Sequence, residues 1–138
     1  MNWKLIFQLS LFGLIMAFAT VSLIPTFLEP VFWVIIFVLS AYIIAKVCTQ
    51  KYFLNGFMVA IVNCVWITAV HAIFCSAYIK AHPYMTPEKL GMPPSLYTHP
   101  REVLIIIAPG FGIGCAIVLG LFSFIAFKIV KKKSVAAA

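Results

Sequence analysis

Four long apolar stretches, joined by polar connections, constrain this chain more than any other feature of its sequence. They occupy residues 5–24, 31–47, 52–79 and 103–127. A helix needs roughly 20 apolar residues to cross a hydrocarbon core about 30 Å thick, because each residue advances the helix by about 1.5 Å. The pattern therefore predicts four transmembrane helices, with one longer outer loop at residues 81–102.

Composition places these helices in lipid. Of the 138 residues, 64% are hydrophobic and only 9% are charged, whereas a soluble domain carries about a quarter charged residues. We expect a single all-α membrane domain over residues 1–133 and a tail without function at 134–138. Because the four helices and their connections occupy the whole of that domain, we expect no enzyme activity and no cofactor.

The distribution of basic residues predicts how the chain is oriented. Lysines and arginines concentrate in the cytoplasmic flanks of membrane helices. One side of the predicted helices receives Lys4, Lys46, Lys51, Lys128, Lys131, Lys132 and Lys133, and the other receives Lys80, Lys89 and Arg101. This bias predicts an up-and-down four-helix bundle with both termini in the cytoplasm. Nucleic acid is not an expected partner, since the basic residues flank apolar stretches and do not form one patch.

Small residues form stripes on two of the predicted helices. They are Ala108, Gly112, Ala116 and Gly120 on the fourth, with a neighbouring pair Gly110 and Gly114, and Gly13 and Ala17 on the first. In lipid, small residues let helix backbones approach closely. The stripes therefore indicate either packing of the first helix on the fourth within one chain, or a homodimer seam along the fourth helix.

Polar residues share one face of the third predicted helix. Cys64, Thr68, His71 and Cys75 are spaced by four, three and four residues, which suits one helix face, and Asn63 lies beside them as a further member of the stripe. Since an unpaired polar group in hydrocarbon costs several kcal/mol, the stripe is expected to face protein. His71 is a candidate functional residue because it is ionisable within the membrane. It could hydrogen-bond a facing helix, bind a proton or ligand, or hold a metal with Cys75.

The outer loop and the acidic residues bear on two further functions. His82, Met85, Met92 and His99 could hold copper, although both histidines precede prolines and also suit turns that end helices. No metal site is expected. No Asp or Glu falls within the four predicted helices, which argues against small exporters that depend on a buried carboxylate.

Several short segments carry a resemblance to a known group. They are KYFLNGF at 51–57, NCVWIT at 63–68 followed by His71, LFGL at 11–14 and EPVFW at 29–33. Together they resemble small four-helix bacterial inner-membrane proteins of unknown function. The resemblance implies a multi-pass protein of the bacterial inner membrane and implies no activity.

Two functions remain open from the sequence. The small-residue stripes favour a bundle that acts by helix association, with itself or with another membrane protein, in the lipid bilayer. The alternative is a small transporter or channel whose polar pathway contains Asn63, Thr68 and His71. A cavity that reaches His71 would favour the second function, and a tightly packed stripe would favour the first.

Overall fold

The computed structural model describes residues 1–136, which are entirely helical apart from turns and connections. The helices are α1 (Trp3–Ser22), α2 (Glu29–Val47), α3 (Tyr52–Ile73), α4 (Cys75–Ala81) and α5 (Pro100–Ala136), with 3-10 turns at Pro83–Met85 and Pro94–Leu96. Four of them, α1, α2, α3 and Pro100–Lys131 of α5, are long and apolar enough to cross a membrane. The expectation of an all-α chain with four candidate membrane helices is confirmed.

The first two helices begin with recognisable signals. The Asn2 side chain caps α1 by accepting a hydrogen bond from the Leu5 backbone N–H at 3.2 Å. Helix α2 begins at Glu29, two residues before its predicted start, and carries Pro30 in its first turn. A proline at the first turn and an acid near the helix dipole both favour a helix start. Glu29 therefore belongs to a candidate membrane helix, which the sequence reasoning had not foreseen.

The third apolar stretch forms two helices where one was predicted at 52–79. The interruption lies at Phe74, whose backbone angles are φ −97° and ψ 29°. With 22 residues, α3 is already about 33 Å long, which is sufficient to cross the hydrocarbon. Beyond that length lipid no longer requires an unbroken helix, so α4 can follow as a separate short helix.

The last helix is longer at both ends than the predicted 103–127. It has 37 residues, starts at Pro100 and continues through Pro109. At the other end the ammonium groups of Lys128 and Lys131 lie 4.7 Å and 5.3 Å from the ring centroids of Phe124 and Phe127. These contacts let the helix continue beyond the apolar stretch. Part of the tail predicted at 134–138 is thus helical, and residues 137–138 lie outside the described range.

Helix α3 is the centre of the packing. It makes the most extensive contacts with α5 and α1, whereas α2 packs mainly on α5. A Cβ atom added to Gly13 would strike Asn63 on α3, and one added to Gly112 would strike Cys64. Gly13 of α1 and Gly112 of α5 are thus used within the chain. Their partner is α3 in both cases, and not each other as the sequence suggested.

Paired contacts give the relative directions of α1 and α3. The Asn2 backbone N–H donates to Asn55 Oδ1 at 2.9 Å near one end. Near the other end, Thr20 Oγ1 lies 2.9 Å from His71 Nε2. Both members of each pair advance along the chain, so α1 and α3 run in the same direction.

Helices α3 and α5 run in opposite directions. The rings of Tyr52 and Phe127 stack with centroids 3.9 Å apart, and Cys64 Sγ donates to the Ala108 carbonyl at 3.3 Å. The first pair lies near Lys51, at what we name the basic end of the helices. The opposite end, which receives residues 82–99, is named the loop end.

The core fills the basic half. Its buried members come from all four long helices and are Leu5, Ile6, Leu9, Phe37, Ala41, Ile44, Cys48, Val59, Ala60, Ala116 and Leu119. Towards the loop end the buried apolar clusters are smaller. The loop half is therefore less completely filled by side chains.

The close approach of α3 to α5 predicts a difference between two glycines. A Cβ atom at Gly56 would lie 2.7 Å from the Leu119 carbonyl oxygen and would strike the Ser123 hydroxyl, whereas one at Gly114 would meet nothing within 4 Å. We expect Gly56→Ala to lower the free energy of unfolding by about 1–3 kcal/mol, because overpacking forces the backbones apart. Gly114→Ala, the matched control, should not lower it. Unfolding in detergent, followed by circular dichroism, measures both, and equal stability of the two variants would contradict the packing described.

Candidate functional site: a polar cleft in the loop half

A cleft of about 460 Å³ lies among α2, α3 and α5, with Thr20 of α1 and Tyr78 of α4 also on its wall. The side chain of Phe111 on this wall is 79% exposed, so the cleft reaches the outer surface of the helices there. Its polar lining residues are Thr20, Glu29, Asn63, Thr68 and His71, and its aromatic ones are Trp33, Phe37, Tyr78, Tyr84 and Phe111. The cleft combines an apolar wall with a few polar groups, which is the usual character of a small-molecule site.

The structure brings most of the predicted polar stripe to this cleft. Asn63, Cys64, Thr68 and His71 line it, and Cys115 of α5 lies on the opposite wall. Cys75 does not line it. That thiol is buried beyond the interruption at Phe74, in a separate cluster with Tyr78 and Leu104. The interruption at Phe74 therefore separates Cys75 from the rest of the predicted polar stripe.

His71 is held by α1. Its Nε2 atom lies 2.9 Å from Thr20 Oγ1, while the Thr20 hydroxyl lies 2.8 Å from the Met16 carbonyl. A hydroxyl has one proton to donate. Since that proton goes to the carbonyl, Thr20 accepts from His71, and Nε2 carries a hydrogen. In a neutral imidazole the other nitrogen, Nδ1, is then an acceptor.

The neighbouring polar residues differ in how well they are paired. Thr68 donates to the Cys64 carbonyl at 2.7 Å, so its hydroxyl is satisfied within α3. Asn63 is only 3% exposed, and neither its Nδ2 nor its Oδ1 has a hydrogen-bond partner. A buried unpaired amide costs roughly 1–3 kcal/mol. Asn63 lines the cleft, but its amide is buried against Gly13 of α1, where its donor and acceptor are left unused.

Glu29 and His82 form a pair that sequence reasoning missed. His82 is 1% exposed, and its Nε2 lies 2.6 Å from Glu29 Oε1. Its Nδ1 lies 3.0 Å from the Tyr78 carbonyl. His82 is therefore an interior residue, where the sequence allowed a loop ligand for copper or a turn. The sequence did contain one signal for this pair. Glu29-Pro30 is typical of a helix start, and a helix α2 that begins there carries the Glu29 carboxylate.

The two acceptors around His82 fix how many protons the pair holds. A carbonyl oxygen can only accept, so Nδ1 must carry a hydrogen for Tyr78. The short Nε2–Oε1 contact then requires a second proton, placed on the imidazole or on Glu29. In both arrangements the pair is neutral overall and shares one proton between nitrogen and oxygen.

An aromatic stack links this pair to His71. The Tyr78 ring lies 3.9 Å from the His71 ring and 4.4 Å from the His82 ring, nearly parallel to both. The Tyr84 ring meets His82 edge-on, with centroids 5.8 Å apart. Burial raises the pKa of the Tyr78 hydroxyl, with smaller contributions from Tyr84 and Glu29. The phenol between the two imidazoles therefore stays protonated.

The other outer-loop histidine behaves differently. His99 Nδ1 lies 3.2 Å from Glu102 Oε1, but the two side chains are 51% and 62% exposed. Within residues 1–136 no three His, Cys, Asp or Glu side chains come close enough to hold a metal ion. Of the two outer-loop histidines, His82 thus forms an interior pair with a glutamate and His99 forms a surface pair.

Comparison of the chain with protein-family models, with curated proteins and with solved structures gives no match. Function must therefore be inferred from the cleft and the groups on its wall.

The difference between the two pairs predicts a difference in stability. We expect His82→Ala to lower the free energy of unfolding by about 1–3 kcal/mol, because Glu29 would keep a partly buried carboxyl group without its partner. His99→Ala, the matched control at a surface pair, should change it by no more than the measurement error. Denaturation of both variants in detergent tests this, and equal effects would show that the His82 contact contributes nothing.

Proposed function

We propose that the protein is a small transporter, and that the cleft with Asn63, Thr68 and His71 is its substrate pathway. The observation that carries the proposal is the cleft itself, which reaches His71 and is also lined by Asn63 and Thr68. A bundle that acted only through its outer surface would not need a cleft with polar residues between its helices. Polar and ionisable groups within a membrane face such cavities when they serve a substrate path.

We further propose that the bundle is up-and-down, lies in a bacterial inner membrane and keeps both termini in the cytoplasm. The contact directions of α1, α3 and α5 support the first point, and the lysines of the basic end support the last. In this orientation the Glu29–His82 pair lies on the outer side. The cleft then opens in the outer half, and the filled core separates it from the cytoplasm.

A transporter exposes its central site to each side of the membrane in turn, and Cys115 on the cleft wall can report this. Single-cysteine proteins retaining Cys115 or Cys75, with the other cysteines replaced by serine, are treated with the impermeant reagent methanethiosulfonate-ethyltrimethylammonium. We expect Cys115 to react in right-side-out and in inside-out vesicles. Cys75, which is buried away from the cleft, should react slowly in both.

The outcomes of this labelling separate the alternatives. Reaction of Cys115 from one side alone would contradict transport and leave a binding protein. Absence of reaction from both sides would contradict a water-accessible cleft altogether. Mass spectrometry of the intact protein measures the extent of labelling.

Self-association remains a second candidate function, and one observation favours it. A Cβ atom at Gly110 or Gly114 would meet nothing within 4 Å, so this pair of small residues faces outward on α5. Gly112 and Gly120 are occupied within the chain, by Cys64 and Phe53 of α3. A homodimer seam, if the protein uses one, would therefore lie along Gly110 and Gly114, where a second helix could approach closely.

This seam predicts an effect on oligomeric state. The double variant Gly110→Leu, Gly114→Leu should shift the protein towards monomer by at least tenfold in dissociation constant, because leucine side chains separate the two backbones. Val65→Leu, on an exposed face of α3, should have no effect. Sedimentation equilibrium in detergent measures the constants, and a wild-type protein that is monomeric at every concentration would remove this candidate.

A further inference from the structure

We propose that the cleft binds a hydrophobic organic cation, whose charged group pairs with Glu29 and displaces the proton that Glu29 shares with His82. The proposal rests on the proposed function, since it takes the cleft as the substrate site. It adds the chemical class of the substrate and an exchange of one proton for one cation.

The charge of the cleft wall favours a cation. Glu29 is the single carboxylate among its lining residues, which include no lysine or arginine in the described part of the chain. The chain has only three acidic residues, and the other two, Glu88 and Glu102, do not line the cleft. A charged group within a membrane needs an opposite charge, because desolvation is costly. The wall supplies that charge for a cation and supplies no fixed positive charge for an anion.

The aromatic residues of the wall favour an organic and hydrophobic cation. Trp33, Tyr78 and Tyr84 line the cleft together with Glu29, and Phe37 and Phe111 extend the aromatic surface. Ring faces attract cations through their quadrupoles, and tryptophan does so most strongly. The same rings contact the apolar body of a ligand. A strongly hydrated metal ion would not use such a wall, since its ligands are oxygen atoms.

The proton count at His82 explains the exchange. With Nδ1–H donated to the Tyr78 carbonyl, one further proton lies between Nε2 and Glu29 Oε1. When a cation pairs with the Glu29 carboxylate, this proton is no longer needed to neutralise it and passes to water. His82 keeps the hydrogen on Nδ1 and becomes neutral. One positive charge enters and one leaves, so the net charge of the site is unchanged.

Other titratable groups surround the pair and must be distinguished from it. His71 faces it through the Tyr78 ring, and Tyr78 and Tyr84 contact the His82 ring directly. From α5, Arg101 acts electrostatically on nearby Cys75. Of these groups His71 is the other imidazole, and it is the alternative source of a released proton. A His71→Gln variant therefore tests whether the released proton comes from His71.

The ligand class is tested with two ions of the same shape and opposite charge. Wild-type protein in lipid nanodiscs is titrated with tetraphenylphosphonium and with tetraphenylborate, with empty nanodiscs as blank. We expect the cation to bind at least tenfold more tightly than the anion. Glu29→Gln should weaken binding of the cation at least tenfold, whereas Glu102→Gln, the matched control outside the cleft, should leave it unchanged. Equal binding of the two ions overturns the assignment of a cation.

Proton release is measured by repeating the calorimetric titration in two buffers of different ionisation enthalpy. We expect about one proton released per tetraphenylphosphonium bound, a smaller release for His82→Gln, and the full release for His71→Gln. Cation binding without proton release overturns the exchange. Release that disappears only in His71→Gln assigns the proton to His71 and overturns the role of the Glu29–His82 pair.

A neutral probe separates failure of this inference from failure of the proposed function. N-phenyl-1-naphthylamine fluorescence is compared for wild type and for Cys115→Trp, which fills the cleft, with Ile117→Trp on the exposed face of α5 as control. One outcome is that the neutral probe binds to wild type but not to Cys115→Trp, and that the cation does not bind. The cleft is then a binding site, and the assignment of a cation as its ligand is wrong. If no probe binds and Cys115 is unreactive, the proposed function fails as well. Glu29→Gln protein that still binds the neutral probe is folded, so its loss of cation binding is specific.

Discussion

The close backbone contact of α3 with α1 and α5 is the interaction on which the rest of this structure depends. In lipid, helices gain little from hydrophobic burial, so they associate through dispersion and close approach. Gly13, Gly56, Gly112 and Gly120 permit that approach, and each lies where an added Cβ would strike a neighbouring helix. These contacts place α3 at the centre and leave α2 attached chiefly to α5. The position of α2 at the side is what allows a cleft to remain beside α3.

The two halves of the molecule follow from this arrangement. In the basic half, side chains from all four long helices meet in one core, and no comparable core fills the loop half in the described residues. There the space beside α3 is lined by rings and by polar groups that would be costly to expose to lipid. Thr20 and Thr68 are bonded to backbone carbonyls, while Asn63 has no partner. The basic half of the molecule thus provides stability, and the loop half provides the polar groups on which the proposals rest.

Much of the architecture could be predicted from the sequence, because hydrocarbon imposes a simple length rule on apolar stretches. The four candidate spans and the inward-facing residues Asn63 and His71 follow from that rule and from helical periodicity. The interruption at Phe74 could not be predicted, since no proline or glycine marks it and the apolar stretch continues beyond it.

The Glu29–His82 pair was missed for a different reason. Its members lie 53 positions apart, and each sits at the end of an apolar stretch, where a polar residue is ordinarily solvated. Only the fold shows that the ends of α2 and α4 meet. The sequence also could not predict that both small-residue stripes pack on α3. A glycine indicates that another helix comes close, but it does not identify which helix that is.

The gap in the helix at Phe74 has a consequence for the course of the chain. A single non-helical residue joins α3 to the short helix α4, so the axis of α4 need not continue that of α3. The Tyr78 ring lies beyond this joint and stacks on the His71 ring before it and on the His82 ring after it. One aromatic side chain thus connects an imidazole inside a candidate membrane helix with an imidazole that lies beyond that helix.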